Sequence, residues 1–558
     1  MTEHVVDSLV PGDELLFVAL GGAGEIGMNL NLYGTRGRWL MVDLGITFGD
    51  DETPGVDVVV PDPAFIAAHR DRLDGLVLTH AHEDHIGAVP YLWQQLRCPL
   101  YATPFTAEIL RAKLTEAGLA AQAPITVIPL SGAFEVGPFK IELVTLTHSI
   151  PEPNAVVIRT PFGAVLHTGD WKFDPDPVVG DKADMAGLAR LGQEGVLAMI
   201  CDSTNVFQPG ASGSEASLRD HLIEIVGRFE TRVAFTSFAS NIARIETMAA
   251  AAKANNRRAV LVGRALTRMV EAARRTGYLS PDLELLDESE ARNLPRREAL
   301  LICTGSQGEP RGALARIAAQ NHPNVKLVAG DAVIFSSRII PGNERAIHRV
   351  VNRLVKHGVE VVSERTDFVH VSGHPARDEL IQMYQLVRPR IAVPVHGEAR
   401  HLAEQAKLAK ECQVPEAPVI ENGQVLRLAP GRAVIAGRVS SGRLAVDGGR
   451  LVPAEGEMLR ERRRMMFNGG AVATLVIDPA HNLAAEPRVS LLGLVEQPQD
   501  TGLLAKVAAE VRAAFERLSD EHKGDDGKVR EAARLVVRRT INAALGRKPV
   551  TEIHLVRL

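Results

Sequence analysis

Leu73-Asp74-Gly75-Leu76-Val77-Leu78-Thr79-His80-Ala81-His82-Glu83-Asp84-His85 is an apolar strand that runs directly into a cluster of metal-binding side chains. Imidazole nitrogen and carboxylate oxygen suit zinc, with manganese as the alternative. A lone histidine is an ordinary polar residue. His80, His82, Asp84 and His85 at H-x-H-x-D-H spacing converge only if the segment is a tight loop, and a cation is what such convergence serves.

Upstream of this stretch, Glu14 to Leu20 reads as a strand, followed by the loop GGAGEIG, and Met28 to Tyr33 with Trp39 to Leu44 as a hairpin. Gly22, Gly24 and Gly27 match the dinucleotide pattern G-x-G-x-x-G, which requires a helix next to hold a pyrophosphate. MNLNLY follows instead and alternates like a strand, so the glycines are read as a turn. Downstream, helical pattern at Tyr91 to Arg97 and Thr106 to Glu116 gives way to strands at Lys140 to Thr147 and Ala164 to His167. The reading to about residue 205 is a layered, sheet-rich domain.

From 214 to 371, helical segments (Ala216 to Phe229, Ile242 to Asn255, Leu266 to Thr276) alternate with the apolar strands RVAFTSF, AVLVG, ALLICTG, DAVIFSS and VEVVSE. That is the pattern of a parallel, doubly wound α/β unit. Its strands end in Ser, Thr or Gly, which either receive an anion or simply make tight turns. The last hundred residues read as strands at Ala471 to Ile477 and Val489 to Val495, amphipathic helices at Leu503 to Leu518 and Lys528 to Leu545, and a closing strand at Val550 to Val556. The segment DEHKGDDGK is read as a linker between the helices. Arg460-Glu461-Arg462-Arg463-Arg464 is read as a nucleic-acid contact or a solvated linker.

The 558 residues exceed one ordinary core, so two to four domains are expected. The composition, 46% hydrophobic and 23% charged, is that of a folded chain without a disorder signature. Cys98, Cys201, Cys303 and Cys412 form no C-x-x-C pair, which suggests neither a disulfide framework nor a thiolate zinc site. The acidic opening MTEHVVDSLVPGDELL lacks an apolar signal core, and no run reaches the ~18 apolar residues of a membrane span. A cytoplasmic location without membrane association is expected. The formal charge of -5 argues only mildly against a polyanionic ligand, because local fields and bound cations dominate at a site.

The H-x-H-x-D-H segment resembles the signature of the metallo-β-lactamase superfamily, and the remaining residues of that pattern are present. Asp43 closes the strand WLMVDLG, His148 lies in TLTHS, Asp170 in HTGDWKF and His396 in PVHGE. The long interval between Asp170 and His396 resembles the β-CASP nucleases, in which an inserted domain clamps nucleic acid over the metals. Asp202 in CDSTN and His374 in HVSGH match that group. Within it the likeness is to the ribonuclease J family, running through HAHEDH, HSIPEP, HTGDWKFDPDP, CDSTN, TSFASN, CTGSQGEP, FSSRIIPGN and HVSGH to PVHGE.

The resemblance implies an αββα metallo-β-lactamase sandwich over residues 1–213 and 372–445, a β-CASP α/β domain over 214–371, and a C-terminal α+β domain over 446–558. It implies one metal held by His80, His82 and His148, a second by Asp84, His85 and His396, and Asp170 bridging. Two divalent ions about 3.5–4 Å apart polarise a phosphoryl oxygen and lower the pKa of water toward neutrality. Asp202 and His374 are the acid/base candidates, and Asp43 orients a ligand from behind.

The family further implies a terminal-phosphate pocket from His370, Val371, Ser372, Gly373 and His374, with Phe238, Ala239 and Ser240 on the same path. Hydroxyls, backbone N–H groups and an imidazolium grip such a phosphate. Arg244, Arg264, Arg268 and Arg338 either line an RNA path or are surface charges. A structural calcium at Asp57 and Asp447 is also implied, although AVDGGR lacks the longer glycine-rich stretch usual there. The expected activity is 5′→3′ exonuclease and endonuclease cutting of single-stranded RNA by a homodimer or homotetramer. A β-CASP nuclease acting on DNA and a non-catalytic RNA-binding subunit are the alternatives.

Overall fold

The computed structural model describes residues 6–496 and 501–558, so the first five residues of the acidic N-terminal stretch lie outside the described residues. The chain divides into one unit of residues 1–47 and 60–442 and another of residues 48–59 and 443–558.

The first unit is built on two sheets. One orders the strands Val434–Arg438, Gln424–Ala429, Leu15–Gly21, Leu30–Thr35, Arg38–Val42, Leu73–Val77, Leu100–Ala102 and Ile125–Val127. The other orders Ala133–Val136, Phe139–Thr145, Asn154–Thr160, Gly163–His167, Val196–Asp202 and Ile391–Val395. Strand alternation separates their cores. Val156, Ile158, Val165, Ala198 and Ile200 face Phe17, Tyr33, Leu40 and Val42 between the sheets. Ala155, Val157, Leu166 and Met199 point the other way. There they meet Leu188 of the helix Met185–Glu194, Leu380 and Met383 of Arg377–Val387, and Leu408 of Ala399–Glu411. With period 2, each strand thus has two apolar faces, as a sheet covered on both sides requires. On the far side of the larger sheet Trp39 meets Phe65 edge-on, with ring centroids 5.5 Å apart.

Residues 233–362 form a third sheet of five parallel strands, ordered Arg258–Val262, Ala299–Cys303, Val233–Thr236, Ala332–Phe335 and Glu360–Val362. Two of its helices start where Ser214 and Asn241 accept hydrogen bonds from the N–H groups of Ala216 and Arg244. Those side chains satisfy donors that a helix start leaves unpaired.

The glycine loop does not open a helix. Ala23–Gly24 pairs in parallel with Gly397–Glu398, and the strand Leu30–Thr35 follows. The dinucleotide pattern therefore lacks the helix N-terminus its chemistry needs.

In the second unit, the strands Arg488–Leu492, Gly470–Ile477 and Val550–Arg557 form a sheet. The helices Thr501–Glu516 and Asp526–Leu545 cover it through Val507, Val511, Val529, Val537 and Ile541. The stretch read as a linker contains the short helix Asp520–Gly524, capped by Ser519. The basic run read as a nucleic-acid contact or linker is part of the helix Glu457–Asn468. A further sheet orders Arg450–Pro453, Arg443–Asp447, Val58–Pro61 and Thr47–Phe48.

Candidate metal centre

Each expected ligand leaves the end of a strand or the turn beyond it. His80 and His82 follow Leu73–Val77, and Asp84 and His85 lie in the short helix Glu83–Ile86. His148 follows Phe139–Thr145, Asp170 follows Gly163–His167, and His396 follows Ile391–Val395. Because Gly163–His167, Val196–Asp202 and Ile391–Val395 run parallel, their C-terminal ends share one edge. That edge is where open sheets collect ligands.

All seven side chains meet. His80, His82, His148 and Asp170 form one group whose donor atoms lie within 4.8 Å of one another, and Asp84, His85, Asp170 and His396 form a second. His80 Nε2 and His148 Nε2 stand 3.1 and 3.0 Å from His82 Nδ1. Metal–nitrogen bonds of about 2.0–2.1 Å give a tetrahedral ligand edge of about 3.3 Å, so these spacings fit a shared ion. Asp170 Oδ2 lies 3.2 Å from His85 Nε2 and 3.8 Å from His148 Nε2, between the two groups. Its Oδ1 is buried without a hydrogen-bond partner among the described residues. An orphaned buried carboxylate oxygen is costly unless a cation takes it up, and the donor set fits a pair of divalent ions.

The outer nitrogen of each histidine is held by oxygen. Asp43 Oδ2 accepts from His85 Nδ1 at 2.7 Å, and the Gly373 carbonyl accepts from His148 Nδ1. Thr79 Oγ1 and Thr204 Oγ1 commit their own protons to Asp43 and Asp202, so each accepts from the Nδ1 of His80 or His396, at 3.0 and 2.9 Å. Ser240 Oγ lies 3.0 Å from His82 Nε2. This ring turns the inner nitrogens toward the centre, as outer partners do in metal sites. Asp43 stands where the sequence suggested. Thr79, Thr204, Ser240 in this role, and Asn29, whose amide donates to the Asp84 carbonyl at 3.0 Å, carried no spacing signal. At Gly373 a Cβ would fall 2.8 Å from the His148 ring, so only a hydrogen fits.

Electrostatics match the donor set. Burial, then neighbouring histidines, push His80 well below the ordinary imidazole value and do the same to His148, while burial takes His82 to about 4. Burial opposes charge on His85 and His396 too, but Asp170 and nearby carboxylates outweigh it and raise both well above the usual value. Asp170 is held far below the carboxylate range against burial, by His396 and His85 first. The carboxylates that favour positive charge on His85 and His396 would equally favour a cation between them.

Asp202 and His374 adjoin the cluster, with His374 Nδ1 2.8 Å from Asp202 Oδ2. Asn205 Nδ2 donates to Ser372 Oγ at 2.7 Å and to the His374 carbonyl at 3.1 Å, and Arg338 Nη1 donates to Asn205 Oδ1 at 2.9 Å. Phe238, Ala239 and Ser240 follow the strand Val233–Thr236 and are half-buried. Of the two histidines in the 370–374 stretch, His370 has its pKa lowered to about 3 by burial, then Arg244, which favours the neutral ring, whereas that of His374 is raised by Asp202 and Asp170 against burial. Arg244 is fully buried against Glu215, Arg268 pairs with Glu116 at 2.7 Å, and Arg264 is exposed.

The expected calcium does not fit. Both Nη atoms of Arg462 take the Asp447 carboxylate at 2.8 Å, so a guanidinium already balances it. Asp57 is exposed. Among the described residues, every cluster of three or more histidine, cysteine or acidic donors belongs to the centre above.

Family models match four consecutive stretches: the metallo-β-lactamase superfamily over 28–228, the ribonuclease J β-CASP domain over 230–354, the Zn-dependent metallo-hydrolase RNA specificity domain over 358–415 and the ribonuclease J C-terminal domain over 457–558. Ribonuclease J of Sinorhizobium meliloti is 43% identical over 551 residues, covering 98% of each chain. Ribonuclease J of Thermus thermophilus is 36% identical, covering 97% of this chain and 95% of its own. Ribonuclease J 1 of Streptococcus pyogenes is 39% identical over 84% of each. A solved structure of a protein of unknown function from Enterococcus faecalis aligns over 74% of this chain and 100% of its own, with a TM-score of 0.50 at 16% identity, a likeness of fold alone. With metallo-β-lactamase, β-CASP and C-terminal regions all matched and near-full-length identity to such relatives, the chain belongs to the ribonuclease J family.

Proposed function

We propose that this protein is a two-metal ribonuclease that removes nucleotides 5′→3′ from single-stranded RNA with a 5′-monophosphate, and also cuts internally. The observation that carries the reading is the His374–Asp202 pair, 2.8 Å apart at the edge of the ligand cluster, in a chain so similar to named ribonucleases J. His80, His82, His148, Asp84, His85 and His396, with Asp170, would hold the ions. Bound there, divalent ions supply Lewis-acid polarisation of a phosphoryl oxygen and a water acidified toward neutrality.

The chain's own groups do the rest. Asp202 fixes His374 through Nδ1, leaving Nε2 as the atom that hands a proton to the leaving oxygen. Burial opposes charge on His374, but Asp202 and Asp170 outweigh it and raise its pKa, favouring the donor form. Ser240, Ser372 and the 370–374 backbone receive the terminal phosphate through neutral donors. Zinc is the resident ion in this reading, with manganese the alternative. The enzyme works in cytoplasmic RNA maturation and decay as a homodimer or homotetramer.

Digestion of matched 5′-monophosphate RNA, 5′-triphosphate RNA and DNA, with and without chelator and with His82→Ala as control, tests this. Mononucleotide release from monophosphate RNA is expected, slowed by a triphosphate and abolished by chelator or the substitution. Equal cutting of DNA, or activity that survives chelation, sinks it.

A further inference from the structure

Outside the ligand set, Lys172, Asp174, Glu215 and Arg244 are buried charged side chains joined in one line of contacts. Lys172 Nζ reaches Asp174 Oδ2 at 3.0 Å and the Gly213 carbonyl at 2.9 Å. Asp174 Oδ2 accepts the Glu215 backbone N–H at 2.9 Å. Glu215 takes Arg244 Nε and Nη2 at 3.0 and 2.9 Å, one carboxylate oxygen each. Arg244 Nη1 then donates to the Ser336 carbonyl at 3.0 Å, to the Val369 carbonyl at 3.4 Å and to Ser336 Oγ.

The two ends of this line are the two halves of the site. Lys172 lies just past Asp170, and its backbone pairs both ways with Thr147, the residue before His148. Val369 leads directly into His370–His374, and Ser336 Oγ also bonds its carbonyl. A buried Arg–Glu pair is a poor way to gain stability, because desolvating two ions offsets their attraction. What a guanidinium supplies that an apolar pair does not is a rigid planar fork with fixed donor directions.

We infer that the Glu215–Arg244 pair sets the separation between the metal loop and the 370–374 loop, and with it the register between a held 5′ end and the bond that is cut. Both are positioning residues. The inference rests on the reading above that the 370–374 loop receives the 5′ phosphate.

Arg244→Lys keeps the charge and loses the fork. Ser336→Ala loosens the same joint without stranding a buried ion. Three readouts separate positioning from general damage: product length from 5′-monophosphate RNA, the kcat/KM ratio for 5′-monophosphate over 5′-hydroxyl RNA, and hydrolysis of bis(p-nitrophenyl) phosphate, which needs the centre but not the pocket. In Arg244→Lys the end-preference ratio falls at least tenfold, chiefly through KM. Dinucleotides appear among the products, and small-diester hydrolysis stays within twofold. Ser336→Ala shifts the same readouts less and decides the matter where Arg244→Lys fails to fold. Unchanged end preference and product length, or a parallel fall of all three activities, overturns the inference. A wild type indifferent to its 5′ end overturns the underlying reading as well, whereas a wild-type preference kept by both variants overturns only this one.

Discussion

Asp43 adopts φ +63° and His396 φ +52°, a region that costs a non-glycine residue about 1–3 kcal/mol unless the surroundings impose it. At Asp43 they do, since its carboxylate accepts the Thr79 N–H at 2.8 Å, the Thr79 hydroxyl, and His85 Nδ1 at 2.7 Å. Asp43→Asn halves that acceptor capacity and frees the His85 ring. Metal affinity is expected to drop about 10- to 100-fold, the usual scale for losing such a partner, with the fold retained. Competition with a chromophoric chelator measures it, and unchanged affinity would show that Asp43 has no part in orienting His85. The seven clustered side chains were legible because imidazole and carboxylate at close spacing have few other uses. Thr79, Thr204 and Asn29 were not, because a hydroxyl or amide serves any turn equally well. The Asp447 expectation failed because nothing in AVDGGR announces that Arg462, fifteen residues on, would turn back to it.

Elements were readable where apolar periodicity was strong. The five parallel strands between 233 and 362 each appeared as an apolar run; Val233–Thr236, Ala299–Cys303 and Ala332–Phe335 are buried throughout, Arg258–Val262 all but at Arg258, and the edge strand Glu360–Val362 only at Val362. The helix Glu457–Asn468 escaped notice because Leu459 is its only buried residue and the remaining pattern is charge. The same fact makes it fragile. Leu459→Ala is expected to cost about 2–5 kcal/mol, the range for emptying a buried leucine site, and to melt this helix before the Gly470–Ile477 sheet. Hydrogen exchange across 457–468 and urea unfolding would register the loss. Protection equal to wild type would mean that another contact holds the helix. Asp520–Gly524 was hidden in the same way, since a five-residue helix held by its Ser519 cap has no room for a periodic stripe.

At the scale of the molecule, buried neutral histidines make the fold sensitive to acid. Burial lowers His167 to about 4 and His370 to about 3, from an ordinary 6.5. Between those values and 6.5 the unfolded chain takes up protons that the folded chain refuses. Stability is therefore intact above pH 6.5 and falls as pH drops through the window. For His167 alone this amounts to about 1–2 kcal/mol at pH 5. His167→Gln, which keeps a partner for the Tyr33 hydroxyl now 2.8 Å from the ring, should flatten the decline in urea midpoint between pH 7 and pH 5. A decline as steep as in wild type would place the acid sensitivity elsewhere.

Sequence order was a fair guide to the sheets but not to which residues travel together, because residues 48–59 belong with 443–558. The strand Val58–Pro61 lies beside Arg443–Asp447 in its sheet. At about 5–20 residues per second on the ribosome, the roughly 380 residues between those partners take on the order of 20–80 s to make. An early segment of the nascent chain, with Thr47–Phe48 as its only earlier neighbour in that sheet, must therefore wait until the other emerges.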